Sequence, residues 1–167
     1  IIRTVRESPD PVTIVAIGPV PSIAAALQCA PDIVENARFV GMHGAVRLGY
    51  TGSPTPCAES NVRWNPDALA TVFAADWQCT VTPFDTCGLV RLTGRRYQRV
   101  YACERPSIRA LMDNYRLWAP ALAKDGPDWT RASSTLFDCV AVYLAFAEDL
   151  VDVQDVHKHP VLPDQPV

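Results

Sequence analysis

Two hydrophobic periods alternate along the chain, and the switches between them mark its elements. VTIVAI at 12–17 is a short β-branched run closed by Gly18-Pro19, the pattern of a strand buried on both faces. Ser22 stands ahead of IAAALQ, where a helix N-cap hydroxyl would satisfy a free backbone N–H. Pro31 and Asp32 open a second short helical stretch, and ARFVGM at 37–42 reads as the next strand. Residues 43–63 are rich in Gly, Pro, Ser and Thr and form a connection longer than the usual link in an α/β domain, which marks them as a binding loop. Asn65-Pro66 before DALATVFAA predicts a capped helix with proline at its first position, and CTVTPF at 79–84 a third strand. Helical spacing over 93–118 is interrupted at Pro106 and predicts two helices. A last helix at about 137–148 leads into LVDVQDV, which reads as an edge strand. The alternation predicts an α/β fold with a doubly wound, mainly parallel sheet. Ligands of such sheets bind beyond the carboxyl ends of the strands, where the loops after Ile17 and Met42 lie.

Composition narrows the class. At 167 residues, 49% hydrophobic and 20% charged, the chain can bury a real core and reads as a single α/β domain over 1–167. A net charge of −3 and a pI near 5.5 give no electrostatic reason to expect nucleic acid or an anionic membrane as partner. The longest apolar runs, such as VAVYLAFA at 140–147, are too short to span a bilayer, and no basic-then-apolar leader opens the chain. Cysteines 29, 57, 79, 87, 103 and 139 lack CxxC pairs and read as reduced core thiols, favouring a cytoplasmic setting. IIRTVRESPDPVTIV begins without Met and looks like mid-protein sequence, so a fragment of a larger domain is expected.

Several features carry little chemistry. RLTGRRYQR at 91–99 reads as one solvated helical face. His157-Lys158-His159 lacks a cysteine or carboxylate constellation for a transition metal, and Asp149, Asp152 and Asp155 fit neither a strand face nor an EF-hand loop. Neither a Gly-x-Ser-x-Gly elbow nor a GxxxxGK loop occurs, which sets serine hydrolases and P-loop proteins aside.

PTPCAESN at 54–61 is different. In an extended segment Glu59 and Asn61 would point the same way and offer an acceptor and an amide to one polyol; the other reading is a polar loop ahead of a helix. Four pieces then fall in order: VAIGPVPSIA at 15–24, VGMHGAV at 40–46, PCAESN at 56–61 and LFDCVAVYL at 136–144. Together they resemble the inosine-uridine preferring nucleoside hydrolase family, over roughly residues 11–155.

The resemblance implies hydrolysis of the N-glycosidic bond of a small-molecule ribonucleoside, one bound Ca²⁺, and a family tendency to form homo-oligomers. By position it makes the Asp138 carboxylate and the Ile17 carbonyl metal donors, hard oxygens of the kind calcium prefers. Read alone, Asp138 is a helix N-cap and Ile17 a buried strand residue. Glu59 and Asn61 match the positions that hold the ribose hydroxyls, and Met42 a pocket residue beneath the sugar, with core packing as its other reading. In the family mechanism metal binding lowers the pKa of a water, and an Asp of an N-terminal DxDxxxDD motif takes its proton before attack at the anomeric carbon. That motif is absent here, so no catalytic residue is assigned and the isolated chain is expected to be inactive. Phe137 stands where many members have His and cannot protonate a leaving base. Ser60 replaces a pocket Phe, Ser53 stands near a usual Asn, and Pro21-Ser22 replace Thr-Asn. His43 replaces the first of two glycines and reads as a loop histidine. The rival function is a catalytically dead homologue serving as a ligand-binding or interaction module, which Phe137, Ser60 and Ser53 support; a third reading is an unrelated doubly wound domain.

Overall fold

A computed structural model describes residues 1–122 and 128–156. Strands β1 (Val12–Ala16), β2 (Ala37–Met42) and β3 (Cys79–Thr82) form a parallel sheet in the order β1-β2-β3. The register sets Val12 opposite Ala37 and Ala16 opposite Gly41, then Phe39 opposite Cys79 and Met42 opposite Thr82. Because side chains alternate along a strand, β2 divides its burial between two cores. Ala37 and Phe39 pack with Val5 of α1 (Ile2–Glu7), with Ile23, Ala24 and Leu27 of α2 (Pro21–Cys29), and with Leu69 and Val72 of α4 (Pro66–Ala74). Val40 and Met42 pack on the other face with Phe84 and Cys87 of α5 (Phe84–Cys87) and with Val140, Ala141 and Leu144 of α8 (Phe137–Leu144). Helices on both faces of a parallel sheet make the fold doubly wound α/β, as the alternating pattern predicts.

Local chemistry explains most boundaries. Asn65 accepts the Ala68 N–H at 3.0 Å and Pro66 occupies the first position of α4, the predicted cap. Ser22, by contrast, caps nothing: α2 already begins at Pro21, whose locked φ starts the helix, and Val20 is the cap residue. Nor is β1 buried on both faces. Val12, Ile14 and Ala16 face the first core, but Val15 and Ile17 remain 38% and 48% exposed because β1 is an outer strand of the described sheet. The expected strand at LVDVQDV does not form. There the chain is held by a local turn, in which the Tyr143 hydroxyl donates to Asp149 at 2.6 Å and accepts the Leu150 N–H at 2.9 Å, and only Val151 turns toward the core. α1, which the sequence pattern does not announce, is tied down by Arg6, whose guanidinium reaches both oxygens of Asp32 at 2.6 and 2.8 Å. Cys87 is buried and Cys79 partly so, but Cys29, Cys57 and Cys139 are exposed, which corrects the reading of all six as core thiols.

The chain divides into two compact units, one of residues 1–88 with the segment from Phe137 onward and one of residues 89–136. The second contains α6 (Gly94–Tyr101) and α7 (Pro106–Leu122), with Pro106 opening the later helix as expected. Its ends are joined by an antiparallel bridge between Thr93 and Ala132, by Ser133 with Leu92, and by the Tyr97 hydroxyl donating to the Trp129 carbonyl. Arg95, Arg96 and Arg99 of α6 are exposed, the solvated face predicted for this stretch. Among the described residues no helix is long and apolar enough to cross a membrane. His157-Lys158-His159 lies outside the described residues.

Candidate active site

The residues singled out from sequence gather around the carboxyl end of β2. Gly44 follows with φ +84°, a conformation that favours glycine, and this turn directs its N–H to Glu59 Oε2 at 3.3 Å and its carbonyl to the Phe84 N–H at 3.0 Å. Beyond Ala45, three successive N–H groups, of Val46, Arg47 and Leu48, donate to the Asp85 carboxylate at 2.8, 2.7 and 3.1 Å. Partial burial pushes the Asp85 pKa up, but these bonds outweigh it and hold the group below its ordinary value. Asp85 is thus the anchor of the long loop, a role missed from sequence. Its signal is an acidic residue in the first turn of a helix opened by Pro83.

Glu59 and Asn61 do not project side by side from an extended segment. Glu59 is extended, but it is the N-cap of α3 (Ser60–Trp64), and Asn61 already lies in the first turn. The Glu59 side chain, 3% exposed, accepts the Asn61 N–H at 2.8 Å and the Val62 N–H at 3.2 Å besides that of Gly44. Asn61 Nδ2 turns back to the Met42 carbonyl at 3.0 Å and lies 3.4 Å from its sulfur. Met42, Glu59 and Asn61 are therefore brought together in one hydrogen-bonded group, with the Met42 side chain buried in the second core.

Asp138 reaches the same end of the sheet because α8 runs opposite to β2: Arg38, near the start of β2, donates to the carbonyl of Ala145 just beyond the end of α8, at 2.7 Å. Asp138 is the second residue of α8 rather than its cap, since the helix begins at Phe137. Its side chain meets solvent, yet the packing around it raises its pKa above the ordinary value, and among the described residues no hydrogen bond or ion pair offsets its charge. Cys87 is fully buried; desolvation pushes this thiol up to about 11, and the negative charges of both Glu59 and Asp138 add to the rise. Phe137 stacks on Tyr50, with centroids 5.7 Å apart and planes at 23°, and contacts Phe84 at 5.5 Å, making an aromatic wall beside Asp138.

His43 lies in the loop after β2, as expected, but it is buried. It is 2% exposed, its Nε2 lies 3.1 Å from the Gly18 carbonyl, and desolvation lowers its pKa to about 4. Ile17, the residue after β1, directly precedes that glycine.

The donors expected for calcium are chemically suitable, a carboxylate with no counter-charge among the described residues and a backbone carbonyl. They form only part of a shell: calcium takes about six to eight oxygens, and among the described residues no three His, Cys, Asp or Glu side chains gather closely enough to hold an ion. The cavity of about 230 Å³ between Tyr101 and Arg116 lies in residues 89–136 and includes none of these groups.

The profile of the inosine-uridine preferring nucleoside hydrolase family matches residues 1–161. A pyrimidine-specific ribonucleoside hydrolase, RihA of Citrobacter koseri, is 35% identical over 105 residues, covering 62% of this chain and 33% of its own. The solved purine-preferring ribonucleoside hydrolase from Gardnerella vaginalis superposes with a TM-score of 0.73 at 26% identity, over 90% of this chain and 47% of its own. The inosine-uridine preferring nucleoside hydrolase of Bacillus anthracis gives a TM-score of 0.64 at 25% identity, over 88% and 47%. The chain spans about a third of the curated relative and just under half of the two solved chains. The ordered motifs, the parallel sheet and a profile match over nearly the whole sequence agree, and this chain belongs to the inosine-uridine preferring nucleoside hydrolase family.

Proposed function

We propose that this chain is the central and C-terminal part of a calcium-dependent ribonucleoside hydrolase, with Asp138 and the Ile17 carbonyl among the metal donors and Met42, Glu59 and Asn61 at the ribose. The observation that carries the reading is the Met42–Asn61–Glu59 group at the carboxyl end of β2, at the end of the sheet where Asp138 has no counter-charge among the described residues.

Each residue then has a task that follows from its surroundings. Three backbone N–H groups fix the Glu59 carboxylate, so its remaining acceptor capacity has a set direction for a sugar hydroxyl. With its Nδ2 held by Met42, Asn61 keeps Oδ1 as a second acceptor. Such preorganised contacts favour a flattened, oxocarbenium-like sugar because they need not rearrange as charge develops. Phe137 offers the departing base a face to stack on and no proton. Bound calcium would supply Lewis acidity and a fixed positive charge beside the ribose. None of the described residues is assigned as the general base. The cytoplasm remains the proposed location and a homo-oligomer the proposed assembly. Relatives are named for both purine and pyrimidine preference, so inosine and uridine are both to be assayed.

Base release by the full-length protein tests this. Turnover of either nucleoside, lost on chelating calcium and in Asp138→Ala, is expected. Binding of the nucleoside without turnover would instead favour the second reading, a catalytically dead ligand-binding module, for which Phe137 and the heavily engaged Glu59 carboxylate speak.

A further inference from the structure

We infer that His43 is a positioning residue for the Ile17 carbonyl: its imidazole pins the loop after β1 to the end of β2 and so fixes the direction of the proposed calcium donor. The inference rests on the calcium reading above for its consequence, and on the geometry around Gly18 for its mechanics.

The imidazole occupies space that Gly41 leaves. A Cβ at Gly41 would fall 2.5 Å from His43 Nδ1 and 2.7 Å from the Phe39 ring, so only glycine lets this side chain fold back against Phe39, whose ring centre is 5.8 Å away. There Nε2 carries the proton and donates to the Gly18 carbonyl at 3.1 Å. Nδ1 is left as a buried acceptor that no described group satisfies. A residue retained for packing alone would not carry that burden, because leucine fills a similar space with no orphaned lone pair. What the histidine gains is its bond to Gly18.

That bond matters because little else holds Gly18. An added Cβ there would meet nothing within 4 Å, so no side-chain contact stands in for that bond, and Pro19 is the one neighbour in the chain that narrows the dihedrals open to glycine. The peptide joining Ile17 to Gly18 is instead bracketed. On one side Ala16 is paired with Gly41 in the β1–β2 ladder; on the other the Gly18 carbonyl is held by His43. The oxygen of the bracketed peptide is the Ile17 carbonyl. With Ala16 and the Gly18 carbonyl both held, the segment that carries the Ile17 carbonyl is anchored at each end. His43 itself is no proton donor to substrate, since its one N–H is spent and its ring is enclosed.

The test compares His43→Leu, which fills the space without a donor, with His43→Gln, whose amide nitrogen stands three bonds from Cβ as Nε2 does. Two measurements are made on the full-length protein: amide exchange at Ile17 and Gly18 without calcium, and calcium titration by calorimetry. Exchange at these amides should quicken several-fold in the Leu variant and stay near wild type in the Gln variant. Calcium affinity should fall about 10-fold or more in the Leu variant and remain within about 3-fold of wild type in the Gln variant. Should the Leu variant not fold, His43→Asn, whose amide is one bond too short to reach, takes its place with the same expectation. Equal exchange and equal affinity in all variants would overturn the inference, as would a Gln variant as impaired as Leu. A wild-type protein that binds no calcium would defeat the metal reading, while the exchange comparison would still decide whether His43 pins the loop.

Discussion

Glu59 and Asp138 both add negative charge near the carboxyl end of β2, where each raises the pKa of the buried Cys87 thiol, and they are opposites. Glu59 is enclosed and accepts three backbone N–H groups, so its surroundings are finished within this chain. Asp138 reaches solvent with its pKa raised and nothing among the described residues to balance its charge. An exposed carboxylate with a raised pKa and no described partner is open to a cation, as the proposed metal role requires. The contrast separates a carboxylate engaged by the backbone from one left open for the proposed ion.

The sharpest way to break the contrast is to remove each carboxylate in turn. Asp138→Ala should lower the calcium affinity of the full-length protein by at least about 100-fold, measured by calorimetry, since a direct ligand matters no less than its supporting shell. The same change should leave the melting temperature of the calcium-free protein unchanged or slightly raised, because it deletes an unbalanced charge. Glu59→Ala should do the reverse in kind. It strands three N–H donors in a buried turn and should cost about 3 kcal/mol of stability in denaturant unfolding, before any ligand is considered. If both variants lose stability equally, the distinction fails.

A third measurement concerns the pH dependence of folding. The His43 pKa lies at about 4 in the folded state against an ordinary value of 6.5, so between these the unfolded chain takes up the proton and the folded chain does not. Stability should therefore fall as pH drops from about 6.5 to about 4, by an amount on the order of 3 kcal/mol, and no further on this account below that. His43→Leu should flatten that slope. Asp85 acts lower on the scale: its depressed pKa contributes stability above its ordinary value of 3.8 that is lost as pH falls below it. The smallest expected effect lies away from both carboxylates, at the α4 cap, where Asn65→Ala should cost about 1 kcal/mol and leave calcium binding untouched.

The sheet was legible because its signals are local and unopposed. ARFVGM is β2 to the residue, since every position but Arg38 is buried and an apolar run of that length has few other uses. Asn65-Pro66 and Pro106 mark helix starts by backbone chemistry that packing does not override. Ser22 failed because Pro21 fixes the start of α2 one residue earlier, and LVDVQDV because alternation describes a strand only when a neighbour takes up its hydrogen bonds. At the site, spacing picked out Glu59 and Asn61 but not their geometry. A glutamate is an uncommon N-cap, so an extended reading and a capped reading of ESN looked alike. The burial of His43 was not visible at all, because it depends on the space left by Gly41, a packing fact that no periodicity encodes.

The most direct test is a crystal structure of the full-length protein with calcium and a non-hydrolysable ribose analogue. An ion is expected at about 2.3–2.6 Å from the Asp138 carboxylate and the Ile17 carbonyl, with the sugar hydroxyls on Glu59 and Asn61. An ion or a sugar bound away from the carboxyl end of β2, with Asp138 still facing only water, would contradict it.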